Sequence, residues 1–230
     1  MSSSTSTDTS PAGPSTERVR LRRKRDRASY ERATIDAILD EALIAHVGIT
    51  DGNGQPLVIP TLHARSGDTV YLHGSVASRT LKALAADAPV CLTVSLIDGL
   101  VLARAAMHHS ANYRSAMLLG HARSVEDPEE KMAALQAVVE HIVPGRWSDV
   151  RHPSENELKA TAVLALGIDE ASAKIRTGPP VDDEQDYELE AWAGVIPLAI
   201  GQGAPQPDPL LRPAIAIPSY ASAYARPGTP

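Results

Sequence analysis

The 230-residue chain contains no phenylalanine and only 3% aromatic residues, so its core has to be assembled from Ala, Val, Leu and Ile through many small contacts. A single cysteine, Cys91, excludes an internal disulfide. It falls in an apolar strand pattern and suits a reducing, cytoplasmic compartment. No apolar run reaches the ~18 to 20 residues needed to cross a bilayer, and the first residues lack the apolar centre of a signal peptide, so no membrane association is expected. A formal net charge of −6 opposes a phosphate backbone and argues against a general nucleic-acid binder.

What is present is a hydrophobic content of 43%, enough for one domain with a substantial core plus tails. Residues 1–17 are mostly Ser, Thr, Pro and Gly and are expected to be a disordered tail, because they bury too little apolar surface to offset the entropy of ordering. The dense basic run Arg18–Arg27 opens the domain at residues 18–200; with no aromatic residue interleaved, it reads as a solvated or subunit-contacting arm. Residues 201–230 are Pro/Ala-rich without a usable period and are expected to form a loosely held tail.

Within the domain, Ile35, Ile38, Leu39 and Leu43 have helical spacing, with Ser29 as the expected cap. Ile44–Thr50 and Gln55–Ala64 read as strands joined by the Asp51-Gly52-Asn53-Gly54 turn, and Ser66-Gly67-Asp68 turns the chain into Thr69–His73, completing a meander. Pro60 marks an edge or a bulge. Val90–Leu96 and Arg114–Val125 are further strands, the latter kinked at Gly120, whereas Gly99–Tyr113 has mixed periodicity. Asp127-Pro128-Glu129-Glu130 opens a helix that Met132, Leu135, Val138, Val139 and Ile142 continue to Pro144-Gly145. Glu155–Lys159 reads as a short helix, and Thr161–Ile168 as a strand covered on both faces. Short hairpins with a few helices between them, and no βαβ alternation, predict a mainly β fold with α: a small antiparallel barrel with peripheral helices.

The stretch that carries chemistry is Val70–Leu84, VYLHGSVASRTLKAL. Strand alternation puts His73 at the mouth of a turn in which Gly74, Ser75 and Ser78 allow close backbone approach and offer hydroxyls. Arg79 and Lys82 then share one face of the following helix. Strand, Gly/Ser turn and helix start form the order that cradles a phosphate, although no GxGxxG or GxxxxGK[ST] fingerprint is present. The same spacing fits a plain N-capped helix with solvated cations. His108-His109 are adjacent on an extended segment and point to opposite faces, so no metal site is expected. Trp147 reads as a core residue, and Ser95 as a small polar strand position able to reach a ligand or to bond across strands.

VYLHGSVASRTLKAL, NYRSAMLLGHARSV at Asn112–Val125, VPGRW at Val143–Trp147 and NELKATAVLALGIDEASAK at Asn156–Lys174 together resemble the split-barrel FMN-binding proteins related to pyridoxamine 5′-phosphate oxidase. Within these they resemble the Nim-type 5-nitroimidazole reductases. The resemblance spans roughly Arg18 to Leu198. It implies a split β-barrel homodimer with FMN in the cleft between subunits. Ser75, Ser78, Arg79 and Lys82 would lie around the FMN phosphate, Thr61 and Leu62 along the ring, and His73 and Gly74 beside flavin and substrate. Tyr113 and Arg114 would lie at the second subunit's flavin or simply in the dimer contact, and Ser95 within reach. His73 is the implied catalytic residue, donating a hydrogen bond or proton to a small electron acceptor such as a nitroaromatic, with NAD(P)H as a donor. The chain departs from the Nim pattern at Gly74-Ser75, so the resemblance bears on the flavin more than on the substrate. The alternatives are a non-catalytic flavin carrier, a haem-binding split barrel and a regulator using the basic arm on nucleic acid.

Overall fold

The computed structural model describes residues 12–225; most of the N-terminal tail expected to be disordered, 1–11, lies outside them. The elements are β1 (Ala28–Ser29), α1 (Arg32–Glu41), β2 (Ile44–Thr50), β3 (Pro56–Ser66), β4 (Thr69–Ser75), α2 (Arg79–Ala85), β5 (Pro89–Leu102), β6 (Ser110–Ser124), α3 (Pro128–Ile142), α4 (Glu155–Ala160), β7 (Thr161–Gly167), β8 (Glu170–Arg176), β9 (Gly194–Pro197) and α5 (Ser219–Ser222). The strands follow the order β1-β8-β6-β7-β4-β3-β2-β5-β9, and an additional β5–β6 pairing closes the ring. Their pairings are antiparallel, so short turns suffice between sequential neighbours.

Two strands change partners along their length, and this splits the barrel. The first part of β3 pairs with β2, from Pro56 opposite Thr50 to Leu62 opposite Ile44. From His63 onward β3 pairs with β4. Pro60 sits in the first part, opposite His46, where β3 has no second neighbour and a missing N–H costs no ladder bond. Likewise β6 pairs with β8 up to Leu119 and with β7 from Ala122, switching around Gly120. The result is the antiparallel barrel that the hairpin pattern predicts, split in the way the family resemblance implies.

The barrel core is aliphatic, with Leu39, Val47, Val70, Leu72, Leu92, Leu118, Leu164 and Leu166 buried together. On the outer face of β7, Val163 and Ala165 pack with Ala134 of α3, which explains why that strand is apolar at successive positions. Asp127 caps α3 by accepting the Glu130 N–H at 2.7 Å, with Pro128 at the helix start. Gly145 takes the positive φ of 86° needed in the turn beyond it.

Two expectations require correction. Ser29 is not the cap of α1: it lies in β1 opposite Ala173, and Glu31 occupies the cap position without a side-chain bond. The stretch of mixed periodicity is largely strand, because β5 continues to Leu102 past a bulge between Ile97 and Gly99 that resets the alternation. A 3-10 turn at Ala106–His108 then leads into β6.

Candidate functional site

At the end of β4 the chain turns through Ser75 into α2, whose N-cap is Ser78. The Ser78 hydroxyl oxygen accepts the Leu81 N–H at 3.4 Å, and that of Ser75 accepts the Ala77 N–H at 3.1 Å. Each O–H remains available to donate. The turn therefore is the capped helix that local spacing predicts, and it also presents donors outward. Gly74 lets this turn lie against the helix, since a Cβ there would stand 2.9 Å from Leu81 Cδ1.

A cleft of about 180 Å³ opens beside the turn. Val47, Ile59, Leu72, Leu81 and Leu84 provide apolar walls, and Thr61, His73, Gly74, Ser75, Ser78 and Thr80 the polar margin. Thr61, on the part of β3 that pairs with β2 alone, turns its hydroxyl onto the Leu62 carbonyl at 3.3 Å. Five residues singled out in the sequence, Thr61, His73, Gly74, Ser75 and Ser78, thus meet at one place.

The others do not line this cleft. Arg79 and Lys82 are exposed on α2, and Ser95 is exposed on β5 opposite Ser115. Leu62 borders it only through the Thr61 bond. Tyr113 lies on β6 opposite Ile97 and Arg176. Arg114 is held by two carboxylates: it bonds Asp98 at 2.9 and 2.7 Å and Glu41 at 2.8 Å with a second, shorter contact, and these partners raise its pKa further.

His73 lies opposite Val163 and stands between two cavities. Among the described residues its ring makes no hydrogen bond, and Nδ1 is sealed from solvent. Burial lowers its pKa below the usual imidazole value and so favours the neutral ring, which carries one N–H donor and one lone pair.

The second cavity, about 280 Å³, was not legible in the sequence. Leu135, Val138 and Val139 of α3 form its apolar side, with Trp147, Pro153 and Thr161; Arg151 and Glu157 stand at its rim. Trp147 is buried and stacked on His152, centroids 4.6 Å apart, so it closes the core as expected and also walls this cavity. The helical apolar period of α3 marked those residues as core, and only the three-dimensional layout shows that the sheet leaves part of that face uncovered.

Elsewhere, His108, Asp182 and Asp186 bring ligand atoms within 4.8 Å of one another. Asp182 already accepts the N–H groups of Arg104 and Ala105 at 3.1 and 3.3 Å and Arg104 Nη1 at 3.2 Å, which makes it a loop clamp.

Residues 31–175 match the family model described as pyridoxamine 5′-phosphate oxidase. The chain belongs to that family. Among solved structures, the flavocytochrome Anf3 of Azotobacter vinelandii is 44% identical, with 93% of this chain and 99% of that chain aligned at a TM-score of 0.88. The FAD and haem binding protein of Mycobacterium smegmatis is 35% identical over 86% of this chain and 96% of that one, TM-score 0.82. A proposed 5-nitroimidazole antibiotic resistance protein of Bacteroides thetaiotaomicron VPI-5482 is 29% identical over 64% and 86%, TM-score 0.55. No curated protein matches the chain. Of these neighbours, the first is named as a flavocytochrome and the second for FAD and haem.

Proposed function

We propose that this protein is a flavin-dependent oxidoreductase that holds its flavin in the cleft between β3, β4 and α2 and delivers electrons to a small acceptor. The observation that carries the reading is the meeting of Thr61, His73, Ser75 and Ser78 around one cleft with apolar walls. A bound flavin would supply the redox chemistry, leaving the protein to anchor, orient and shield it. Ser75 and Ser78 would donate their hydroxyl hydrogens to the phosphate. Val47, Ile59 and Leu72 would exclude water from the ring, and His73, whose ring other side chains leave unclaimed, would donate an N–H to the acceptor. The resemblance in sequence points to FMN, whereas the 35%-identical neighbour is named for FAD; extraction and chromatography of the bound flavin separate the two.

The reading includes a homodimer, supported by exposed Ile97 and Leu100 on β5 and exposed Ile196 on the neighbouring β9. It also includes NAD(P)H as donor and a cytoplasmic setting consistent with the lone Cys91. Purified protein should absorb near ~450 nm, and anaerobic NADH or NADPH should bleach that band until a nitroaromatic or another acceptor restores it. Colourless protein that takes up neither FMN nor FAD in a titration ends the proposal, and a flavin that no donor reduces makes the protein a carrier.

A second group, haem, is favoured by one specific observation. The unbonded imidazole of His73 also faces a cavity with an apolar wall, the lining that suits the flat apolar face of a tetrapyrrole. A Soret band lost in His73→Ala, with flavin content retained, is the expected result; a Soret band unchanged in that variant removes the assignment.

A further inference from the structure

One wall of the second cavity is a single stretch of chain, along which Trp147, Arg151, Pro153 and Glu157 follow one another. Between α3 and α4 its regular structure is the 3-10 turn Trp147–Asp149. Among the described residues the backbone hydrogen bonds of 146–153 stay within the turn: Arg146 N–H to the Val143 carbonyl and Asp149 N–H to the Arg146 carbonyl, both at 3.1 Å. No ladder ties this wall to the sheet, so side chains decide whether it stays closed. A segment held that way opens at a lower cost than unfolding the barrel.

From the outside the turn is held by the C-terminal segment. The Tyr220 hydroxyl donates to Asp149 and accepts from Arg146 Nη1 at 2.5 Å, and these two residues also pair with each other at 3.6 Å. The Arg146 guanidinium lies 5.8 Å from the centroid of the Tyr220 ring. The same ring stands over Gly145, where a Cβ would come within 3.8 Å of it. What leads from β9 to this contact is of a different kind. Residues 198–217 are exposed throughout, and among the described residues the hydrogen bonds of 199–217 stay within that stretch. The segment that carries Tyr220 is thus joined to the barrel by a tether whose movement breaks no sheet contact.

We propose that Ser219–Ser222 is a latch on the second cavity. Tyr220, by gripping Arg146 and Asp149 together, keeps the Trp147 turn closed over the apolar wall from α3, and its release admits a small apolar ligand. The latch acts on the cavity whatever group fills it, so it does not depend on the flavin or the haem reading.

The test uses the full chain carrying Trp192→Phe, which leaves Trp147 as the sole tryptophan. Hydrogen exchange follows the Trp147 amide, and acrylamide quenching of Trp147 emission reports access to the cavity wall. Tyr220→Phe, which keeps the ring and loses the hydroxyl, speeds exchange of that amide about tenfold, the effect of losing a hydrogen bond to a charged group. Tyr220→Ala speeds it further, and truncation after Pro218 matches Tyr220→Ala. Quenching rises in the same order, while the amides of β5 and β6 keep their wild-type rates. Wild-type exchange and quenching in Tyr220→Ala overturn the proposal. So does faster exchange shared equally by β5 and β6, since the barrel as a whole would then have loosened.

Discussion

Glu140 accepts the backbone N–H of Trp147 at 2.7 Å, seven residues down the chain, and its other oxygen accepts that of Gly145 at 2.6 Å. One carboxylate at the end of α3 therefore fixes the turn that carries a wall of the second cavity. Tyr220 of α5 adds a clasp from outside: its hydroxyl donates to Asp149 and accepts from Arg146 Nη1 at 2.5 Å. Glu140→Ala should lower unfolding stability by about 2 kcal/mol, the worth of hydrogen bonds to a charged group. It should also red-shift Trp147 emission as the ring gains solvent. Denaturant titration followed by fluorescence checks both, and wild-type emission in the variant would mean the turn holds itself.

The two roles of Ser78 can be separated. Ser78→Ala removes the α2 cap, at about 1 kcal/mol, and weakens flavin binding. Ser78→Asp restores a capping oxygen but sets a negative charge against the flavin phosphate. Its expected profile is near-wild-type stability with flavin lost on gel filtration. If Ser78→Asp keeps its flavin, the phosphate does not lie at this turn.

His63 links stability to pH. It is fully buried, with Nε2 at 3.0 Å from the Leu39 carbonyl and its ring 5.1 Å from that of His141. Burial, reinforced by His141, lowers its pKa to about 4. The unfolded chain would protonate this side chain near pH 6.5, the folded one only near pH 4, so the unfolded state binds more protons between those values. Stability is thus full above pH 6.5 and falls as pH drops through the window, by up to about 3 kcal/mol. His73, whose pKa burial also lowers, contributes in the same direction. Urea titrations at stepped pH should show a shallower slope in His63→Gln, and an unchanged slope would remove His63 as its source.

Arg114 is expected to matter for the fold and not for the cofactor. Its removal takes away the one guanidinium that draws the Glu41 and Asp98 carboxylates together. Arg114→Ala should cost about 2 to 3 kcal/mol with flavin content per folded protein unchanged. Loss of flavin at unaltered stability would instead put Arg114 at a cofactor.

Much of the fold was legible because it rests on local signals. The Asp127-Pro128 opening of α3, the meander of β2 to β4 and the two-sided apolarity of β7 each follow from period and turn chemistry. The bulge after Ile97 was hidden because one extra residue reverses the phase of alternation. The Ser29 cap failed because pairing with Ala173 outweighed a local hydroxyl preference. The cleft was legible where its residues are contiguous, His73 to Ser78. The α3 cavity depends on which elements become neighbours, and no local period encodes that.

The strand β3 passes from one sheet to the other just after Thr61, and its next same-side residues are His63, bound to the Leu39 carbonyl, and Arg65, bound to Asp40 at 2.8 and 2.5 Å. A single rod thus runs from the cleft margin to the far end of α1. The strand that carries Thr61 at the cleft margin is thereby splinted to α1, which ties the shape of the cleft to the N-terminal part of the chain as well as to the turn that faces it.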